Sequence, residues 1–252
     1  MNLVLLEPSE LAADGTARLG GRRAQHITTV LRAGAGDRIL VGCVGGLMGE
    51  AEVHAAGDDE VVLSPVLDRR PPTPSPVSLL VAVPRPKSLR KVLQCAAAMG
   101  VKRIALVGSY RVEKSYFGSP LLAPGAIREQ LLLGLEQGRD TTLPTVTIDR
   151  FFKPFVEDRL DAAFPSALRL LAHPVDAPPI EALAAQRAPG AAQAVVAIGP
   201  EGGWTGYEVE ALRQRGFLPF SMGPRALRVD QAVPFAVGQV ELALRTFSRT
   251  PE

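Results

Sequence analysis

The sequence predicts an α/β protein, a parallel sheet covered on both faces by helices and preceded by a small β-barrel. Three observations carry this. Beyond residue 78, continuous apolar runs alternate with helical patterns. Before residue 68, short runs are separated by Gly and Asp. Between them lies DRRPPTPSPVS, Asp68 to Ser78, with prolines at 71, 72, 74 and 76. Proline removes backbone donors and biases its neighbours towards extended backbone, so this segment reads as a semi-rigid linker. The expected division is 1–70, a linker at 71–78, and 79–252.

In the first part, DRILVGCV, EAEVHA and DDEVVLSPVL read as strands, with one helical stretch from Arg22 to Arg32. In the second part the strand-like runs are VSLLVAV, RIALVG, PTVTI, LRLLAHP, AVVAIG and FLPFSMG. Strands this apolar, alternating with helices, imply a sheet buried on both sides. The helix predicted over Ser88 to Gly100 places Leu89, Val92, Leu93 and Ala96 on one face, with Ser88 as N-cap and Gly100 as stop. A last helix is predicted over Gln231 to Phe247, with Asp230 as its N-cap and Pro234 in its first turn.

Composition narrows the function classes. With 46% apolar residues in 252, a sizeable core is affordable, while aromatics at 5% leave it to Ala, Leu and Val. The 28 basic and 26 acidic residues nearly cancel, so any polyanion site must come from local clustering. Cys43 and Cys95 lack ligand spacing, which argues against a disulfide framework or a cysteine zinc site and suits a reducing compartment. His26, His54 and His173 are isolated, and no metal is expected. The opening MNLVLLEPSE lacks a basic signal-peptide region, and no apolar run approaches the ~20 residues of a membrane span. The expected compartment is the cytoplasm, with no membrane partner.

Ligands of parallel α/β sheets bind outside the carboxyl ends of the strands. Three strand ends here are unusual: LRLLAHP ending at His173, VVAIGPEGGW over residues 195–204, and FSMGPRALRVD over 220–230. Glycines in the second loop let backbone amides approach a ligand, or simply make a strand-to-helix turn. A capping box, Thr205 to Glu208, follows it. The loop has neither GxGxxG nor a P-loop lysine, which disfavours dinucleotides and nucleoside triphosphates. Glu201 has two readings, a ligand-orienting group or base, and a carboxylate at a helix N-terminus. Arg225 and Arg228 are suited either to phosphate or developing negative charge, or to a solvated surface.

Basic residues also cluster. Arg85, Lys87, Arg90, Lys91, Lys102, Arg103, Arg111 and Lys114 face only Glu113 between residues 85 and 114. In the small domain Arg18, Arg22, Arg23, Arg32 and Arg38 are opposed only by Asp37. Solvated faces would explain each, but one cluster per domain is more suggestive of a phosphate backbone.

These segments together resemble a known family. GPEGGW…GF…SMGPRALRVDQA is similar to the GPEGGF…GF…SLGPRILRTETA signature of the RsmE family of 16S ribosomal-RNA (uracil-N3)-methyltransferases. QHITTVLRAGAGDRILV resembles that family's HH-x-x-VLR…GD segment, and PRPKSLRKVLQCAAAMGVKRI its PK…QKATELGV helix. REQLLLGLEQGR matches its EQSGR segment less one residue, and LLAHP its strand ending in HP. The sequence departs from the pattern at Glu136–Arg139, at Leu227–Ala232, at Ala96–Gly100 and at SYRVEKSYF, so a divergent paralogue is one possible reading.

The resemblance implies a PUA-like β-barrel that binds RNA, over 1–70, and a trefoil-knotted SPOUT methyltransferase domain, over 79–252, dimerised through the knot. It implies S-adenosylmethionine in the knot crevice, held by Leu171, His173, Ile198, Gly199, Pro200, Glu201, Gly202, Gly203, Ser221, Met222, Gly223, Leu227 and Arg228. Arg228 and Glu201 are the candidate catalytic residues; Arg22, Arg23, Arg32, Lys87, Arg90 and Arg139 are those for contact with 16S ribosomal RNA or a small-subunit particle. The alternatives are a non-catalytic RNA-binding or ribosome-assembly factor that retains the fold, and methyl transfer to another RNA position such as a ribose 2′-OH.

Overall fold

The computed structural model describes residues 2–57, 59–173, 177–186 and 192–247. The chain divides into two compact units, Met1–Thr73 with Leu131–Leu143, and Pro74–Gln130 with Pro144–Glu252.

The first unit holds strands β1 (Val4–Leu6), β2 (Ala17–Gly20), β3 (Arg38–Cys43), β4 (Met48–Ala56) and β5 (Glu60–Arg69). They form one sheet in the order β1-β3-β4-β5-β2, parallel only between β1 and β3. Burial alternates along β2 and through the middle of β4, so a single face is covered. Both edge strands feed one core, in which Val4 and Leu6 of β1 join Ala17 and Leu19 of β2. A sheet whose edges share a core must curl, and the register shifts between β4 and β5 supply bends. The result is barrel-like. The helix α1 (Gly21–Gln25) runs on as a wider π-type turn from His26 to Val30, contributing Ala24 and Ile27 to that core.

Arg23 locks this unit. Its guanidinium donates to the Leu5 carbonyl at 2.8 Å and to both carboxylate oxygens of Glu10. Burial alone would raise the Glu10 carboxyl, but hydrogen bonds from Arg23 and the Glu7 amide, with the Arg23 charge, hold it below its ordinary value. A carboxylate with a depressed folded pKa stabilises above its unfolded pKa and loses that contribution as pH falls through the folded one. Urea unfolding between pH 7 and 3 is therefore expected to show the wild type weakening below the ordinary glutamate range more steeply than Glu10→Gln. Parallel curves for the two would show that this pair contributes nothing.

The second unit is built on six parallel strands in the order β11-β9-β10-β6-β7-β8. They are β6 (Val77–Ala82), β7 (Arg103–Val107), β8 (Thr145–Asp149), β9 (Leu168–Ala172), β10 (Ala194–Ile198) and β11 (Leu218–Phe220). Each expected apolar run supplies one of them. Every residue of β10 is buried, as a strand covered on both faces requires. The chain visits β6, β7 and β8 outward, then crosses back to place β9 and β10 on the other side of β6. Register pairs Ile198 with both Val81 and Ala172, so the carboxyl ends align along one edge.

The helices are α2 (Pro86–Ala98), α3 (Pro124–Gly138, whose residues from Leu131 on belong to the first unit), α4 (Phe152–Pro154), α5 (Leu160–Ala163), α6 (Gly206–Gln214) and α7 (Val229–Phe247). Leu89, Val92, Leu93 and Ala96 of α2 are buried as their spacing predicts, and Gly100 ends the helix at φ +79. The helix begins before the expected Ser88, with Arg85 at the cap and Pro86 in its first turn. Helix α7 packs on α2, β6 and β10 through Ala232, Val233, Ala236, Val237 and Val240. It too starts earlier than its sequence suggests. Its cap is Arg228, whose carbonyl accepts from the amides of Gln231 and Ala232 at 2.8 Å each. Asp230 lies inside the first turn, where its carboxylate meets Lys91 Nζ at 3.2 Å and Arg228 Nε at 3.6 Å. Pro234 then falls beyond the first turn, inside the helix.

Candidate functional site

A cleft of about 350 Å³ opens at the carboxyl ends of β9, β10 and β11. Three loops meet around it: His173 after β9, Gly199–Trp204 after β10, and the Met222–Leu227 stretch after β11. Val229 and Ala232 of α7 and Arg111 of the loop after β7 complete the wall. These are the three strand ends that the sequence singles out, brought to one place by the parallel register.

Local chemistry shapes the central loop. Gly203 sits at φ +71 with its amide donating to the Pro200 carbonyl at 2.7 Å, a turn that an L side chain resists. Thr205 caps α6, and Glu208 closes the capping box by accepting from the Thr205 amide at 2.8 Å. The other Glu208 oxygen accepts from the Tyr110 amide at 2.8 Å, fastening the loop after β7 to the start of α6. Glu208 is buried, and these amides meet its charge.

Most predicted ligand residues lie on the cleft: His173, Ile198, Gly199, Pro200, Glu201, Gly202, Gly203, Met222, Gly223 and Leu227. Leu171 is instead buried inside β9. Ser221 stands behind the wall, its hydroxyl accepting from the Gly223 amide at 3.1 Å. Pro174 lies outside the described residues. Arg228 is exposed beside the cleft, paired with Asp230. Glu201 accepts from the Arg85 amide at 3.1 Å, with Arg85 Nε 4.0 Å away. That places its carboxylate at the N-terminus of α2 while the residue stays on the cleft wall.

Seven wall residues are absent from the sequence-based ligand set. Ala172, Arg225, Ala226 and Val229 adjoin its members in the chain, and three lie outside its segments or differ in kind. Trp204 is buried against Phe152, ring centroids 5.6 Å apart. As the sole tryptophan, directly after the glycine loop, it carried a usable signal. Arg111 donates to the Gly202 carbonyl from across the sheet. Ala232 arrives from the last helix. No spacing links either to the loop.

The residues predicted to meet RNA separate into two kinds. Arg23 is taken up by Glu10 and the Leu5 carbonyl, and Arg22 pairs with the buried Glu136 at 2.8 Å. Lys87 and Arg90 are exposed on α2, and Arg32 and Arg139 are exposed with φ of +54 each. Arg139 borders a second cleft of about 550 Å³ with Leu31, Ala33, Asp37 and Arg38. Among the described residues no group of three His, Cys, Asp or Glu side chains could hold a metal, and no helix is long and apolar enough to cross a membrane.

Comparison with known proteins places this arrangement. Residues 71–241 match the RNA methyltransferase domain family, so the class of the chain is that of RNA methyltransferases. A ribosomal RNA small subunit methyltransferase E from Treponema pallidum is 30% identical over 235 residues, covering 92% of this chain and 87% of the relative. The chain belongs to the ribosomal RNA small subunit methyltransferase E family. The protein of that name from Synechocystis is 26% identical, covering 96% of this chain and 78% of the relative. The fold is shared with the Neisseria gonorrhoeae member, crystallised with S-adenosylmethionine, at a TM-score of 0.72 and 20% identity, covering 96% and 97% of the two chains. A methyltransferase from Legionella pneumophila solved with the same cofactor gives a TM-score of 0.71 at 22% identity, with the same coverage.

Proposed function

We propose that the chain methylates N3 of a uridine in 16S ribosomal RNA, with S-adenosylmethionine held in the cleft at the carboxyl edge of β9, β10 and β11. The observation that carries this reading is the meeting of the 173, 199–204 and 222–227 loops around one cleft in a chain of this family. The residues present fit the cofactor. The Trp204 indole Nε1 is closed to solvent and has no hydrogen-bond partner among the described residues. A Cβ on Gly199 would come to 3.0 Å from the Trp204 amide nitrogen, so a side chain there would crowd the loop where it folds back on itself. The cleft volume is at the small end of ligand pockets.

Bound there, S-adenosylmethionine supplies an electrophilic methyl carbon. The chain's task is then to place the acceptor in line and to favour the uracil anion, since N3 is a weak acid. Arg228, exposed at the cap of α7, is assigned to that negative charge. Glu201 holds the glycine loop to α2 rather than taking a proton. Residues 1–70 are proposed as the PUA-like RNA-binding domain, joined through 71–78 to a trefoil-knotted domain over 79–252; the motifs shared with the family support this. Arg32, Arg139, Lys87 and Arg90, all exposed, are assigned to the RNA. Phe235 and Leu242, exposed one heptad apart on α7, support a homodimer through the knotted region; the cytoplasm is its proposed compartment.

Nucleoside mass spectrometry of small-subunit RNA, from cells with and without the gene, tests the reading. Loss of 3-methyluridine, restored by the purified chain and S-adenosylmethionine, is expected; an unchanged nucleoside profile would overturn it. For the cleft itself, Gly203→Val forces a β-branched residue to φ +71 in open space, so the loop must reshape without a clash. Calorimetry is expected to show S-adenosylmethionine binding at least about tenfold weaker, or ~1.4 kcal/mol, with the melting cooperative. Unchanged affinity would make this loop a plain turn.

A further inference from the structure

A larger cleft, about 680 Å³, lies on the same sheet edge beyond the ends of β7 and β8 and shares no wall residue with the cofactor cleft. Among the described residues the exposed aromatic side chains are Tyr110, Phe151, Tyr207 and Phe235, and the first three line this cleft. In a chain with 5% aromatics, such grouping in solvent calls for a reason.

The three come from separate elements: Tyr110 from the loop after β7, Phe151 from the loop after β8, Tyr207 from the first turn of α6. Their backbones are held. The Gly108 amide donates to the Asp149 carbonyl at 2.7 Å, and Glu208 ties Tyr110 to the capped start of α6. Arg150 and Lys153 stand on the same wall, the former 5.8 Å from the Phe117 ring centroid. The sole carboxylate on the wall, Glu208, is buried and turned to backbone amides. Ser109, also on the wall, has a hydroxyl without a hydrogen-bond partner among the described residues.

Aromatic faces interleaved with cations, of which Lys153 also lies 3.8 Å from the Glu157 carboxylate, suit unpaired bases on a polyanionic strand. A protein interface would share the aromatics and the arginine but disfavour a lysine such as Lys153. We propose that Tyr110, Phe151 and Tyr207 stack an unpaired base of the substrate RNA that neighbours the methylated one, with Arg150 and Lys153 on its phosphates. The inference rests on the RNA-methyltransferase reading and adds the place where the strand is gripped.

The test uses the full chain and a single-stranded RNA carrying one 2-aminopurine, whose fluorescence is quenched on stacking. Quenching is expected with the wild type, retained in Tyr110→Phe and Tyr207→Phe, and lost in Tyr110→Ala/Tyr207→Ala and in Phe151→Ala. Those alanine variants are expected to raise KM for RNA at least tenfold, while kcat at saturating RNA and affinity for S-adenosylmethionine stay within threefold. Unchanged quenching and KM in folded variants would overturn the proposal. So would a change of oligomeric state on sedimentation with RNA binding intact, since the cleft would then hold a second copy. Quenching with no methyl transfer by the wild type would instead overturn the methyltransferase reading and leave the platform standing.

Discussion

Arg228→Ala is expected to lower turnover by ~10² or more, the scale of losing one electrostatic stabiliser, while S-adenosylmethionine affinity stays within a few-fold. The geometry explains the split. Arg228 is off the wall of the cleft proposed for the cofactor, so little cofactor contact is expected to be lost with it. Its backbone caps α7 through the carbonyl, which alanine retains, so the helix start survives. Its guanidinium is exposed and 3.6 Å from Asp230, which holds the charge near the cleft mouth, within reach of an incoming RNA. An interaction gained mainly in the transition state is lost in kcat. Arg228→Lys is expected to recover only part, because an ammonium does not reproduce the planar fork. Single-turnover methyl transfer to small-subunit particles reads both. Near-normal turnover for Arg228→Ala would move the charge-stabilising role to Arg225 or Arg111, both on the wall.

Gly108→Ala is expected to be strongly destabilising. A Cβ there would lie 2.0 Å from the Arg150 carbonyl oxygen, a backbone atom with no side-chain freedom to escape. The ends of β7 and β8 must part, and the 2.7 Å bond from the Gly108 amide to Asp149 goes with them. Overpacking of this kind costs ~3 kcal/mol, which for a chain of this size is a fall in Tm of about 6–12 °C. Gly125→Ala is the control. That glycine is in the first turn of α3 with open space around it, and alanine is expected to be neutral or slightly stabilising. Scanning calorimetry distinguishes the two; equal melting temperatures would show that β7 and β8 yield freely.

How much was legible in the sequence depends on the range of the signal. β6, β7, β9 and β10 of the second unit are continuous apolar runs, buried almost throughout as strands covered on both faces are, whereas the edge strand β8 is mostly exposed. The face of α2 was readable from the spacing of Leu89, Val92, Leu93 and Ala96. The Thr205–Glu208 box follows from four adjacent residues. Helix starts were less secure. Ser88 and Asp230 look like caps, yet the helices begin at Pro86 and Val229: Pro86 suits a first turn, and the Asp230 carboxylate accepts from Lys91 Nζ on α2, which no local pattern announces.

Which segments are buried and which loops carry glycine and arginine can be read residue by residue, since those properties are local. Tertiary structure decided which residues share a cleft. Arg111 reaches the glycine loop, Glu201 turns to α2 and Glu208 to Tyr110, across 91, 116 and 98 residues of chain. Arg23, counted among the basic cluster, is drawn instead to Glu10. Such pairings depend on strand order and register, and a charge has no periodicity that announces its partner. Only the parallel alignment of the carboxyl ends brings Tyr110, Phe151 and Tyr207 onto one wall.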